Sequence, residues 1–129
     1  MKSKMTRGPS VRALAVNVPT TSATIVLSGI PAARGSSAAF QDQTISGVLN
    51  ITPGTATTAV TVRCKNQGGT QFGTSQVHTV AAAAPQNIAF NFQDVSGLVN
   101  TSYQIEVQQT AATANGTVNE IVAYAGGED

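Results

Sequence analysis

Apolar and polar residues alternate with a period of two along most of this chain, the spacing of half-buried β-strands. In "VRALAVNV", Leu14, Val16 and Val18 recur at every second position. Ile45, Gly47, Leu49 and Ile51 follow the same rule. So do Thr58, Val60, Val62 and Cys64, with Thr61, Arg63 and Lys65 turned to the opposite face. Ile88, Phe90 and Phe92 alternate next, then Tyr103, Ile105 and Val107 against Gln104, Glu106 and Gln108. "SATIVLSG" is a short buried run around Ile25 to Leu27. "QVHTVA" is a strand with Val77 or His78 inward, and "TVNEIVAY" is the last strand. Pro53-Gly54 marks a turn, and Asn115-Gly116 is a strong hairpin signal. The alanines of "AAAAPQ" favour a helix, but Pro85 closes the run at once. No segment carries the 3.6-residue period of an amphipathic helix.

These patterns predict eight strands, at 11–18, 21–28, 43–51, 57–65, 75–82, 87–93, 101–108 and 117–124. The fold class is all-β: an antiparallel eight-stranded β-sandwich, with the jelly roll as the leading arrangement. An immunoglobulin-like sandwich is the alternative, but its cysteine pair and buried Trp are absent. Residues 1–10 have no apolar periodicity and read as a basic flexible N-terminal arm. Alone, such an arm cannot offset the ~1–2 kcal/mol per residue needed to order its backbone. Residues 11–129 read as a single sandwich domain, large enough to bury a core without disulfides. Two polar loops stand out, "IPAARGSSAAFQDQ" and "KNQGGTQFGTS". Each holds a lone aromatic, Phe40 and Phe72, which either anchors its loop or faces a partner.

Composition adds a second layer. Charged residues make up only 10% of the chain, against about 25% in a typical domain. A free surface normally carries more charge than this. A neutral, hydroxyl-rich surface suits a protein packed against copies of itself. The charges are also uneven. Lys2, Lys4, Arg7 and Arg12 are four of the seven basic residues, and no acid occurs before Asp42. This basic start is a candidate contact for nucleic acid or for an acidic protein surface. Its apolar stretch is broken by Arg12, Asn17 and Pro19, so it makes a poor signal peptide. With no apolar run long enough to span a bilayer, the expectation is a chain kept in a cytoplasm until assembly.

Candidate chemistry is sparse. Cys64 is the one cysteine, so no intrachain disulfide and no cysteine metal cluster can form. Its face, shared with Val60 and Val62, makes it a small buried hydrophobe. His78 is the one histidine. A triad with Ser and either Asp42 or Asp94 lacks the Gly-x-Ser-x-Gly elbow. Glu106 and Glu120 could pair as acid and base, but Glu106 alternates onto the outer face, toward solvent or a neighbour. The glycines of "NQGGTQFGTS" lack the Gly-Lys-Ser/Thr of a phosphate loop. Three Asn-x-Ser/Thr triplets begin at Asn50, Asn100 and Asn115, and without a secretory signal they read as chance. No catalytic residue, metal site or cofactor is expected.

The succession "ISGVLNITPGTATTAVTVRCKNQGGTQFGT", "IAFNFQD" and "TSYQIEVQQTAATANGTVNEIVAY" resembles small single-jelly-roll or TNF-like structural proteins of viruses. These serve as pentons, spikes, head fibres or decoration proteins of phages and other icosahedral viruses. The resemblance covers about residues 43–124 and is one of rhythm, with no invariant motif. It implies a structural virion protein that acts by self-assembly, as a trimer or pentamer, and by docking on other capsid proteins. Lys2, Lys4, Arg7, Arg12, Phe40 and Phe72 are the candidate interface residues, with nucleic-acid contact through the arm. A carbohydrate-binding or adhesin module recognising a host surface glycan is the alternative.

Overall fold

A computed structural model of the chain describes residues 5–34, 42–95 and 99–128. Among them are nine strands: β1 (Met5–Arg7), β2 (Val11–Val18), β3 (Thr24–Pro31), β4 (Gln43–Thr52), β5 (Ala59–Asn66), β6 (Gln71–Thr79), β7 (Gln86–Asp94), β8 (Ser102–Thr110) and β9 (Gly116–Glu128). They form two sheets. In the first, β9, β4 and β7 lie side by side, with β1 and β2 both paired to the free edge of β9; the second runs β3-β8-β5-β6.

The pairs β2–β9, β3–β8, β4–β7 and β5–β6 are all antiparallel. The chain is therefore one long hairpin, folded at the β5–β6 turn and wrapped so that successive strand pairs alternate between two sheets. This is the jelly roll, an antiparallel sandwich whose core lies between the inner faces. Those faces carry the alternating residues of the sequence. Ile45, Leu49, Ile51, Val60, Val62, Cys64, Phe90, Phe92, Tyr103, Ile105 and Val107 are all buried. His78, rather than Val77, turns inward, and Val77 is exposed.

Three differences from the sequence reading have physical causes. Met5–Arg7, placed there in an unpaired arm, forms β1, because β9 runs on to Glu128 and offers its backbone at Gly126–Glu128. The gain is backbone hydrogen bonding, which side-chain periodicity does not report. Residues 1–4 lie outside the described residues.

Second, Leu14 is 59% exposed, although it alternates with Val16 and Val18. Ala15 adopts a left-handed φ of 53°, and β9 bulges against β4 where the register passes from Glu120 to Val118. Both strands change inward parity there. Val11, Ala13 and Val16 pack on the core while Leu14, paired with Glu120, turns out.

Third, β6 begins at Gln71, so Phe72 lies in a strand and not in a loop. The glycine-rich turn is tighter than expected. Asn66 Oδ1 accepts the N–H groups of Gly68 and Thr70, and Gly69 takes the positive φ.

Candidate interaction surfaces

The residues singled out by sequence do not converge. Lys2, Lys4 and Phe40 lie outside the described residues. Arg7 stacks its guanidinium 3.7 Å from the centroid of the Tyr124 ring and donates to Ser10 Oγ at 3.1 Å. Arg12 pairs with Glu120 across β2 and β9, both side chains well exposed; such a surface pair contributes ~0–1 kcal/mol. Phe72 is half-buried and packs edge-on against Tyr103, with centroids 5.4 Å apart. It rests against the core, as an anchor does. His78 lies beside Val60 near one end of the sandwich, with Nε2 buried and without a hydrogen-bond partner among the described residues. Asp94 lies toward the other end. Among the described residues no three of His, Cys, Asp and Glu gather as a metal site would require.

Two buried polar clusters brace the ends. At one, Asp94 accepts hydrogen bonds from Tyr103 Oη at 2.8 Å and Asn100 Nδ2 at 2.7 Å. Burial raises the pKa of the Tyr103 hydroxyl, and the bond to Asp94 raises it further. Burial likewise raises that of the Cys64 thiol, with a smaller contribution from the Asp94 charge. At the other end, Gln109 Oε1 accepts from Gly54 N at 2.6 Å and Thr57 Oγ1 at 3.2 Å, while Nε2 donates to Pro19 O at 2.9 Å. One side chain thus ties the β2–β3, β4–β5 and β8–β9 connections.

The two outer faces differ in chemistry. On the second sheet, Glu106 is 8% exposed because Lys65 Nζ, at 2.9 Å, and Arg63, at 3.5 Å, close over it. The sequence reading placed it correctly on the outer face, but these two cations replace the solvent or neighbour expected there. The outer face of the first sheet is different. Its middle row, in register across four strands, is Arg12, Val122, Val48 and Ala89. Val48 is 46% exposed, and Leu14 stands beside the row. The flanking rows are Leu14, Glu120, Asn50 and Asn87 on one side and Tyr124, Ser46 and Asn91 on the other, and their amides bond within the plane. Asn50 donates to Asn87 at 3.0 Å, Asn119 to Asn50 at 2.8 Å, Asn91 to Ser46 at 2.9 Å and Gln93 to Asn91 at 3.2 Å. No outward position of β4 or β7 is charged. The signal for this face was legible: if odd positions of β4 point inward, Val48 points out.

A cleft of about 330 Å3 lies between β2 and β3, lined by Arg12, Ala13, Val16, Ile25, Val26 and Leu27 together with Ser28. Both are edge strands. β3 carries two register shifts against β8, which bend its free edge away from regular pairing.

No family model and no curated protein matches the chain. Solved structures do. The chain is similar to the VP2 subviral particle of infectious bursal disease virus, with a TM-score of 0.61 and 10% identity, over 97% of this chain and 32% of that chain. The Gx strain of the same virus matches with a TM-score of 0.55 and 12% identity, over 98% and 32%. The T=1 particles derived from the virus match with a TM-score of 0.52 and 10% identity, over 97% and 31%. The likeness is one of fold. Nearly the whole chain is spanned, but the chain covers only about a third of the length of those neighbours. Among the described residues, no helix is long and apolar enough to cross a membrane.

Proposed function

We propose that this protein is a structural subunit of a virion and that its activity is assembly, not catalysis. The observation that carries this reading is the jelly-roll strand order, which matches structures of virus particles along almost the entire chain. The charge-poor composition supports it, because few ions need to be desolvated when such a surface is covered. In its finer form, the reading is a small capsid, penton, spike or decoration subunit of a phage or other icosahedral virus. It forms a trimer or pentamer, docks on other capsid proteins and is assembled in the host cytoplasm.

Nucleic-acid contact through the basic start of the chain is a separate part of the proposal. Arg7 and Arg12 are already engaged by Tyr124 and Glu120, so this contact falls chiefly to Lys2 and Lys4. A labelled-nucleic-acid shift that weakens steeply with salt would support it, and no shift at low salt would remove it.

The main reading is tested on the purified full chain by light scattering and negative-stain electron microscopy across salt and concentration. Closed rings or shells are expected. A monomer under every condition would overturn self-assembly.

A further inference from the structure

We propose that the outer face of the first sheet, centred on Val48 and Val122, is a self-association surface that packs against the same face of a second copy. This rests on the assembly reading and names a pairwise contact within it; an isologous contact closes at two copies, so the trimer or pentamer is built through a second, heterologous surface.

Three observations lead there. The first is polarity already turned inward on the sheet. Asn50, Asn91 and Asn119 each donate to a neighbour in the plane of the sheet, and Asn87 accepts from Asn50. Covering them leaves fewer orphaned groups than a row of unbonded amides would, chiefly the Asn87 Nδ2 donors, which lowers the desolvation cost. A glycan-reading face would instead hold such groups out for the ligand. The second is an exposed apolar centre. Val48, Val122 and Ala89 form one registered band, with Leu14 beside it, inside a polar frame. An apolar middle within a polar rim is the anatomy of an interface.

The third concerns the occupant. The outer positions of β4 and β7 carry no charge, and Glu120 is neutralised by Arg12. The remaining charge among the described side chains is Arg7 over the Tyr124 ring at the margin, so the centre of the face offers a charged partner no complement. The outer face of the second sheet carries Arg63, Lys65 and Glu106 and fits poorly. The best complement on this molecule is the same neutral face of another copy, an isologous contact. Four strands spaced ~4.8 Å apart and some eight residues long, at ~3.3 Å per residue, present about 500 Å2. Two such faces bury about 1,000 Å2, the area at which specific association begins.

The test is sedimentation equilibrium on the full chain and on Val48→Lys and Val122→Lys, with Val77→Lys as the control. Val77 is 64% exposed on the other sheet. The first two substitutions should weaken association about tenfold or more, and the control should leave it within about twofold. Circular dichroism checks that each variant folds. Should a lysine variant fail to fold, Val48→Cys replaces it. Since Cys64 is buried, the only accessible thiol is the new one, and mild oxidation should give a disulfide-linked dimer, whereas Val77→Cys should not. Association unchanged by Val48→Lys and Val122→Lys, or no cross-link through Val48→Cys, overturns this surface and leaves the assembly reading standing. A wild-type chain that stays monomeric overturns both.

Discussion

Tyr103, on β8, donates its hydroxyl to Asp94 Oδ2, on β7, at 2.8 Å, and neither side chain reaches solvent. The bond joins one sheet to the other through the interior. Asn100, just ahead of β8, donates to the same oxygen. A buried carboxylate is tolerated only when donors surround it.

Removing one donor should therefore cost more than an average hydrogen bond. Tyr103→Phe keeps the ring and its packing on Phe72 and deletes only the hydroxyl. It should destabilise the fold by ~1–3 kcal/mol in urea unfolding. Asn100→Ala should act on the same oxygen, so the double variant should depart from additivity.

Alkaline pH should weaken the fold. The ordinary pKa values are 9.0 for the Cys64 thiol and 10.0 for the Tyr103 hydroxyl, and burial raises both in the folded chain. The unfolded chain releases these protons while the folded chain still holds them. Their contribution is complete below pH 9 and falls as pH rises past these values, by about 1.4 kcal/mol per pH unit for each proton. Urea midpoints measured from pH 7 to 11 should show the decline. Cys64→Ala should remove the part that begins near pH 9.

Gln109 should behave as a clasp. Gln109→Leu leaves Gly54 N–H and Pro19 C=O without their partner, at a cost of ~2–4 kcal/mol. Hydrogen exchange should then quicken together around residues 19–23, 53–58 and 111–115, the three connections its side chain joins. Exchange confined to one of them would contradict a shared clasp.

Gly47→Ala should be among the most damaging small substitutions. A Cβ there would lie 2.3 Å from Val122 O and 2.6 Å from the Phe90 ring. The ring of Phe90 occupies the space over Gly47, its partner in register. A loss of ~2–4 kcal/mol is expected, because neither the backbone nor the packed ring can give way freely.

The change of parity in β2 is open to a direct check. Leu14→Ser should shift stability by no more than about 0.5 kcal/mol, as at other exposed sites. Val16→Ser, on the core side, should cost ~1–2 kcal/mol. Equal losses would restore Leu14 to the core.

The sequence by itself determined the strands whose side chains are sorted by burial. β4, β5 and β7 alternate along their length, and β8 does so except at Glu106, which is covered on the outer face, so the inward apolar residues were readable from period two alone. The all-β class and the inert, buried character of Cys64 followed from the same pattern. What the tertiary structure decided was set by backbone geometry and by partners distant in the chain. β1 exists because β9 extends far enough to pair with it. Leu14 faces out because a left-handed Ala15 sits opposite the β9 bulge. Glu106 is covered because β5 places Arg63 and Lys65 over it. The Val48–Val122 band exists only once β4 and β9 are in register. Each of these depends on which strand lies beside which, and a periodicity within one strand carries no information about its neighbour.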